Sequence, residues 1–240
     1  MDGGIMYDKY FSLRNVGETT YVLPRYLKDV LPKKRDAKIL DIGCGLGFLL
    51  KDLTIKGYTN LNGIDISDEA IAACTYKGLQ VEKIDSLDEY CRNSESRFDF
   101  IVMNHVLEHL DKNIIIATLI LIYERLLAPE GALVLMVPNA QSNTGCYWAY
   151  EDFTHQTLFT AGSLSFVLRA AGFGSVEFLD PDGLSESRPT VRWLLSLLLM
   201  AYRLNFWFWN RVTNSFFHRP SPQIFTYELK VLAKEKGSFS

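Results

Sequence analysis

The chain has 240 residues and a net charge of −3, with 48% hydrophobic and 22% charged residues. This length suits one α/β unit with insertions, and the composition excludes a disordered chain. The slight acidic balance argues against a general nucleic-acid binder.

In chain order, the start M-D-G-G-I-M-Y-D-K-Y-F lacks a cationic stretch followed by an apolar run and does not read as a secretory signal. Residues 7–35 read as a helical cap broken at Pro24 and Pro32. Next comes K-I-L-D-I-G-C-G-L-G, Lys38 to Gly47: Ile39, Leu40 and Ile42 read as a buried strand. Gly43, Gly45 and Gly47 turn the chain into a helix from Phe48, leaving bare backbone for a ligand. A dinucleotide fingerprint would need glycine at the sixth turn position, where Phe48 stands. Asp41 before the first glycine would repel a pyrophosphate and attract a sulfonium or ammonium group.

Leu61 to Ile66 reads as a second strand whose Asp65 lies 20 residues past Gly45, the spacing at which such folds hold ribose hydroxyls. Ser67 or Asp68 then caps a helix over Glu69–Lys77. Leu79 to Ile84 is a third strand with Asp85-Ser86 at its exit, and Phe98 to Met103 a fourth that runs into N-H-V-L-E-H-L, Asn104 to Leu110. An apolar helical run over Ile114–Leu127 and a fifth strand over Ala132–Val137 complete a βα alternation, which implies a parallel sheet with right-handed crossovers. Thr160 caps a helix over Ala161–Ala171, Ser175–Leu179 is a sixth strand, and Ile224–Leu232 is the last.

The glycine turn, the acid ending the second strand and the F-D-F-I-V with V-L-E-H-L after it together resemble class I S-adenosylmethionine-dependent methyltransferases over about residues 36–180. The resemblance implies a doubly wound, mostly parallel seven-stranded α/β sheet with N-terminal helices, residues 36–180 as cofactor-binding core, a helical insertion over 181–222 and a final strand in 223–235. It implies S-adenosylmethionine as cofactor, touched by Asp41, Gly43, Gly45, Gly47, Asp65, Ile66, Asn104 and the Asp85-Ser86 pair, with Asp85 or the backbone after it meeting the adenine amino group. An N-terminal segment closing over the cofactor would bring Tyr7 or Tyr10 as a lid group, unless both are packing residues.

Acceptor choice should sit after the fifth strand, where Asn139 to Thr160 is long, polar and aromatic. Its E-D-F-T-H followed by L-F-T resembles a signature of methyltransferases from surface-polysaccharide gene clusters. That implies O-methylation of a sugar or glycan-precursor hydroxyl, with His155 as general base and Asp152 or Glu151 orienting it. His109 beside Glu108 is the rival base, and His105 a weaker one. Methyl transfer requires no metal, and no ligand spacing stands out in the sequence, including among Cys44, Cys74, Cys91 and Cys146, which read as reduced thiols. N-methylation of an amine held by Tyr147, Trp148 and Tyr150 is the runner-up, and a non-catalytic scaffold a third reading.

Trp193 to Trp209 is apolar, broken by Arg203 and Asn205 and flanked by Arg188, Arg192, Arg211 and Arg219, with no acid from 188 to 219. It is short for a membrane span and carries an interior arginine. Internal packing, a homodimer contact, a peripheral contact with the inner face of a membrane and a pocket lid are all open. A phosphate- or lipid-linked acceptor would suit its arginines, and the expected location is cytoplasmic.

Overall fold

The computed structural model describes residues 21–144, 147–215 and 221–235; Tyr7, Tyr10, Cys146, Arg219 and the Trp148 side chain lie outside what is described. Seven strands form one sheet in the order β3-β2-β1-β4-β5-β7-β6: β1 Ile39–Ile42, β2 Leu61–Asp65, β3 Val81–Lys83, β4 Phe98–Asn104, β5 Leu127–Pro138, β6 Ser175–Phe178 and β7 Glu228–Lys234. The first five pair in parallel, and β7 runs antiparallel between β5 and β6. The sheet is the expected α/β class I architecture.

Alternation along the buried strands sorts their side chains onto two faces. Leu40 and Ile42 join one core with Ile64, Met103, Leu135 and Val231, whereas Ile39 joins the other with Leu50, Phe100 and Val134. Short helices cover the faces: α1 Arg25–Lys28, α2 Phe48–Ile55, α3 Asp68–Tyr76, α4 Leu87–Asn93, α5 Ile115–Leu121, α6 Tyr147–Glu151 and α7 Ala161–Ala170. Their starts follow local chemistry: the Ser67, Ser86 and Thr160 hydroxyls accept from the N–H of Ala70, Glu89 and Ser163. The helical run after Ile114 leaves α geometry at Ile122 and finishes as a π-turn through Leu126.

Gly47 shows why one turn glycine is needed for packing. Its φ is +73°, and a Cβ there would come 2.5 Å from Leu79 Cδ1 and 2.7 Å from Cys74 Sγ. Gly47→Ala should therefore destabilise the fold by about 1–3 kcal/mol, read as a lower midpoint in urea unfolding; an unchanged midpoint would refute this account.

The insertion forms α8, Pro189–Val212, with no buried residue. Burial of this helix against the sheet is thus not what the fold does. Among the described residues, only a narrow stripe of it meets the rest of the fold: the Tyr202 and Phe206 rings lie 5.2 and 4.7 Å from that of Phe225, and Tyr202 Oη donates to Asn143 Oδ1 at 2.6 Å. Arg203 pairs with Asp182. Among the described residues, no helix is long and apolar enough to cross a membrane. The last strand also starts later than expected, at Glu228, because the buried Asn139 amide donates to the carbonyls of Ile224 and Thr226 (2.8 and 2.7 Å) and holds residues 224–226 in a connecting run.

Candidate active site

Strand order reverses between β1 and β4, so the connections leaving their carboxyl ends diverge and open a crevice there. A cavity of about 700 Å³ occupies it, within the ordinary range for a small-molecule site. One end is made by the glycine turn and the ends of β2 and β3. Gly43 and Gly45 line it with φ of +71° and +51°, and a Cβ on Gly43 would run into the Val106 side chain. Asp65, Ile66, Asp85, Ser86 and Asn104 line the same end. Asp65 is held by backbone donors, Gly45 N–H to Oδ2 at 2.8 Å and Ser67 N–H to Oδ1 at 2.9 Å, and each oxygen keeps a lone pair for a further donor. Asn104 Oδ1 is buried with no hydrogen-bond partner in the fold. A nucleoside presenting hydroxyl and amino donors, with its apolar base against Ile66, Ile84 and Leu87, fits these residues.

Two expected contacts need correction. Asp41 does not line the cavity: alternation turns it away from Ile42, which does, and it is 4% exposed. Burial, then the neighbouring Asp65 and Cys74, pushes its carboxyl well above the ordinary range, and it does not face the cavity where a sulfonium would lie. Gly47 also lies outside the lining and serves packing. Ser86 lines the cavity with its hydroxyl on the α4 cap, which leaves the backbone contact expected of it unaffected.

The other end of the cavity gathers the expected histidines. The turn after β4 holds His105 at φ 53°, its N–H bound to Met136 O at 2.9 Å, and then a short 3-10 turn, Leu107–His109. The loop after α6 docks on that turn: Gln156 and Thr157 donate backbone N–H groups to the Glu108 carbonyl at 2.8 and 3.1 Å, and Gln156 Nε2 donates to His109 O at 3.0 Å. This stitching brings His155 edge-to-face with His109, ring centroids 4.7 Å apart, although the two are 46 residues apart in sequence.

Two buried carboxylates back the pair. His155 Nε2 is 3.9 Å from Glu108 Oε1 and 4.0 Å from Asp152 Oδ2. Asp152 Oδ1 accepts from the Thr154 N–H at 3.0 Å and from the Thr154 hydroxyl at 2.5 Å, and that hydroxyl lies 2.8 Å from His109 Nδ1. With its proton committed to Asp152, the hydroxyl receives the His109 Nδ1–H, which fixes that tautomer. Burial and, less strongly, His155 lower the His109 pKa against the pull of Glu108 and Asp152, so its imidazole is neutral and able to accept a proton. Glu151, by contrast, is exposed and outside the lining, whereas Asp152 is buried and lines the cavity.

His105 takes a different role from the one expected. Burial alone would lower its pKa, but hydrogen bonds at 3.1 Å to Glu108 and to Glu228 outweigh it and raise the value to about 10. It is a fixed cation that joins the β4 turn to β7, and it has no lone pair with which to act as a base. Tyr227 and Glu228 line the cavity and were not expected; the signal was an acid at the start of the final strand. Tyr147 and Tyr150 are exposed and absent from the lining, so the described residues form no aromatic cage for a cation.

The fold also assembles what sequence spacing could not show, a possible ligand set: one donor atom from each of Glu108, His109 and His155 lies within 4.8 Å of the others. Such a carboxylate and imidazole trio suits a divalent transition metal.

A family model described as a methyltransferase domain matches residues 16–177. The chain is 28% identical over 107 residues to a ubiquinone biosynthesis O-methyltransferase of Dechloromonas aromatica, covering 42% of this chain and 44% of that protein. It is 29% identical over 121 residues to a ribosomal protein L11 methyltransferase of Desulfotalea psychrophila, covering 49% and 38%. The chain thus spans less than half the length of these two curated relatives. In fold it is similar to the crystal structure of an S-adenosylmethionine-dependent methyltransferase from Archaeoglobus fulgidus, with TM-score 0.62, 22% identity and coverage of 98% and 100%.

Proposed function

The chain belongs to the methyltransferase-domain family as an S-adenosylmethionine-dependent methyltransferase of class I; from that premise we propose that the group it methylates is the hydroxyl of a small acceptor. The observation that carries this reading is the His109–His155 pair on the cavity wall, backed by Glu108 and Asp152. A neutral hydroxyl is a poor nucleophile unless its proton is drawn off as the methyl group arrives, and a positioned imidazole does this at neutral pH. An amine acceptor has less need of a base and would gain from an aromatic cage, which Tyr147 and Tyr150 do not provide.

The cofactor supplies an electrophilic methyl on a sulfonium. The chain's part is alignment and proton removal. Asp65 and Asn104 hold the nucleoside end, and the carboxylates around His155 add the negative potential that favours a positively charged donor. Val106, Leu110, Ile114 and Pro138 give the acceptor end an apolar wall, suited to the ring face of a sugar or a phenol. The sugar or glycan-precursor hydroxyl follows from the E-D-F-T-H loop, which does reach the cavity through Asp152 and His155; the ubiquinone-biosynthesis relatives support a phenolic one. A cytoplasmic setting goes with either.

The test is to supply purified protein with S-adenosylmethionine carrying a labelled methyl group and with glycan-precursor and lipid extracts in turn. The expected result is one labelled methyl group on a hydroxyl compound, in place of the hydroxyl proton. Label found only on nitrogen would overturn the hydroxyl reading while leaving the methyltransferase intact.

A second reading is favoured by Glu108 Oε2, which is buried and lacks a hydrogen-bond partner. A divalent ion held by Glu108, His109 and His155 would polarise the acceptor oxygen in place of direct proton transfer to an imidazole. Turnover that falls after chelation and returns with zinc or manganese supports it; turnover indifferent to chelator removes it.

A further inference from the structure

We infer that α8 docks this protein onto an anionic lipid bilayer, beside the cavity that receives the acceptor. The helix is 24 residues long, about 36 Å at 1.5 Å per residue. The residues turned toward the rest of the chain, Leu199, Tyr202, Phe206 and Asn210, recur at helical spacing and are half-buried. The opposite stripe, Trp193, Leu197, Met200, Leu204 and Phe208, recurs at the same spacing and is 47–62% exposed. A solvated surface helix has the reverse arrangement, with polar residues outward.

Charge decides between candidate occupants. No acid occurs between Glu186 and Glu228, whereas Arg188, Arg192, Arg203 and Arg211 all fall in that stretch, in a chain whose net charge is −3. A second copy docking through α8 in a two-fold contact would set the same arginines against each other. Anionic headgroups complement them, at about 1 kcal/mol for each arginine near the surface. Arg192 lies, by helical spacing, on the flank of the inward stripe, so with the apolar stripe sunk in the acyl boundary it stands at headgroup level, whereas Arg203 is held by Asp182. Leucines fill the middle of the helix, and tryptophans stand toward its ends at 193, 207 and 209, as in segments lying in the interface plane.

The inward stripe links this surface to the active site. Tyr202 and Phe206 pack on Phe225, and Tyr227, two residues on, lines the cavity. Resting on the acceptor reading above, the inference gives that acceptor a class: an amphipathic molecule whose hydroxyl-bearing head reaches the cavity while its tail stays in the bilayer.

The test is co-flotation of the full chain with phosphatidylcholine vesicles, with and without phosphatidylglycerol, alongside calorimetric titration with S-adenosylhomocysteine. The chain is expected to float with the phosphatidylglycerol vesicles and not with phosphatidylcholine alone. L197E/L204E should abolish flotation, and R192Q/R211Q should weaken partitioning by roughly 30-fold, both variants binding S-adenosylhomocysteine as before. The inference is overturned if the intact chain never floats, if L197E/L204E floats unchanged, or if the chain is a stable dimer that L197E/L204E splits. Loss of S-adenosylhomocysteine binding in the intact chain would instead strike the methyltransferase reading, so the two failures are separable.

Discussion

His155→Ala is expected to lower turnover by about 100-fold or more while leaving affinity for S-adenosylhomocysteine nearly unchanged. The split follows from the two ends of the cavity: His155 stands with His109, Glu108 and Asp152, whereas the nucleoside end is built from the glycine turn, Asp65 and Asn104. The imidazole is 6% exposed, so its removal also leaves a void, and thermal unfolding of the variant separates loss of chemistry from loss of fold. His109→Ala belongs in the same experiment. If proton removal runs through His155 alone, His109→Ala keeps more activity than His155→Ala; the reverse order would transfer the role to His109, whose neutral state the surrounding burial already favours.

Asp65→Ala should weaken S-adenosylhomocysteine binding by about 1–3 kcal/mol through lost charge-assisted hydrogen bonds. Two effects add here. The carboxylate would offer its remaining lone pairs to the ribose diol, and it fixes the glycine turn by accepting from Gly45 N–H. Asp65→Asn keeps one acceptor oxygen and the side-chain shape, so its loss should be smaller. Titration calorimetry reads both; unchanged affinity in the alanine variant would remove Asp65 from the site.

The cofactor end was legible because its chemistry is local. A strand, three glycines and an acid at the next strand end are read from about 30 consecutive residues, and the strand limits came within a few residues of those seen. Asp41 misled because the sequence shows that a carboxylate is near a turn but not which face of a doubly buried strand it occupies; alternation from Ile42 sends it to the far side. The acceptor end was legible only in part. His109 and His155 were each singled out, but their meeting depends on the hydrogen bonds from residues 156 and 157 to the Glu108 carbonyl, which no spacing announces. Glu228 and Tyr227 were missed for a related reason: they enter through the antiparallel strand β7, whose register against β5 places Glu228 opposite Pro138. The cationic state of His105 follows from that same register. For the insertion, composition indicated an apolar, basic helix; only the fold shows that, among the described residues, its outward stripe is left uncovered.

The stitching of residues 156 and 157 to the Glu108 carbonyl sets a rule for redesigning this enzyme. The stretch from 143 to 151 lies before the anchor and, in its described residues, outside the cavity lining, so segments of other lengths could be grafted there without shifting either imidazole. A single insertion between 152 and 156 would unregister the anchor itself, and a library built on that segment should yield folded but inert variants.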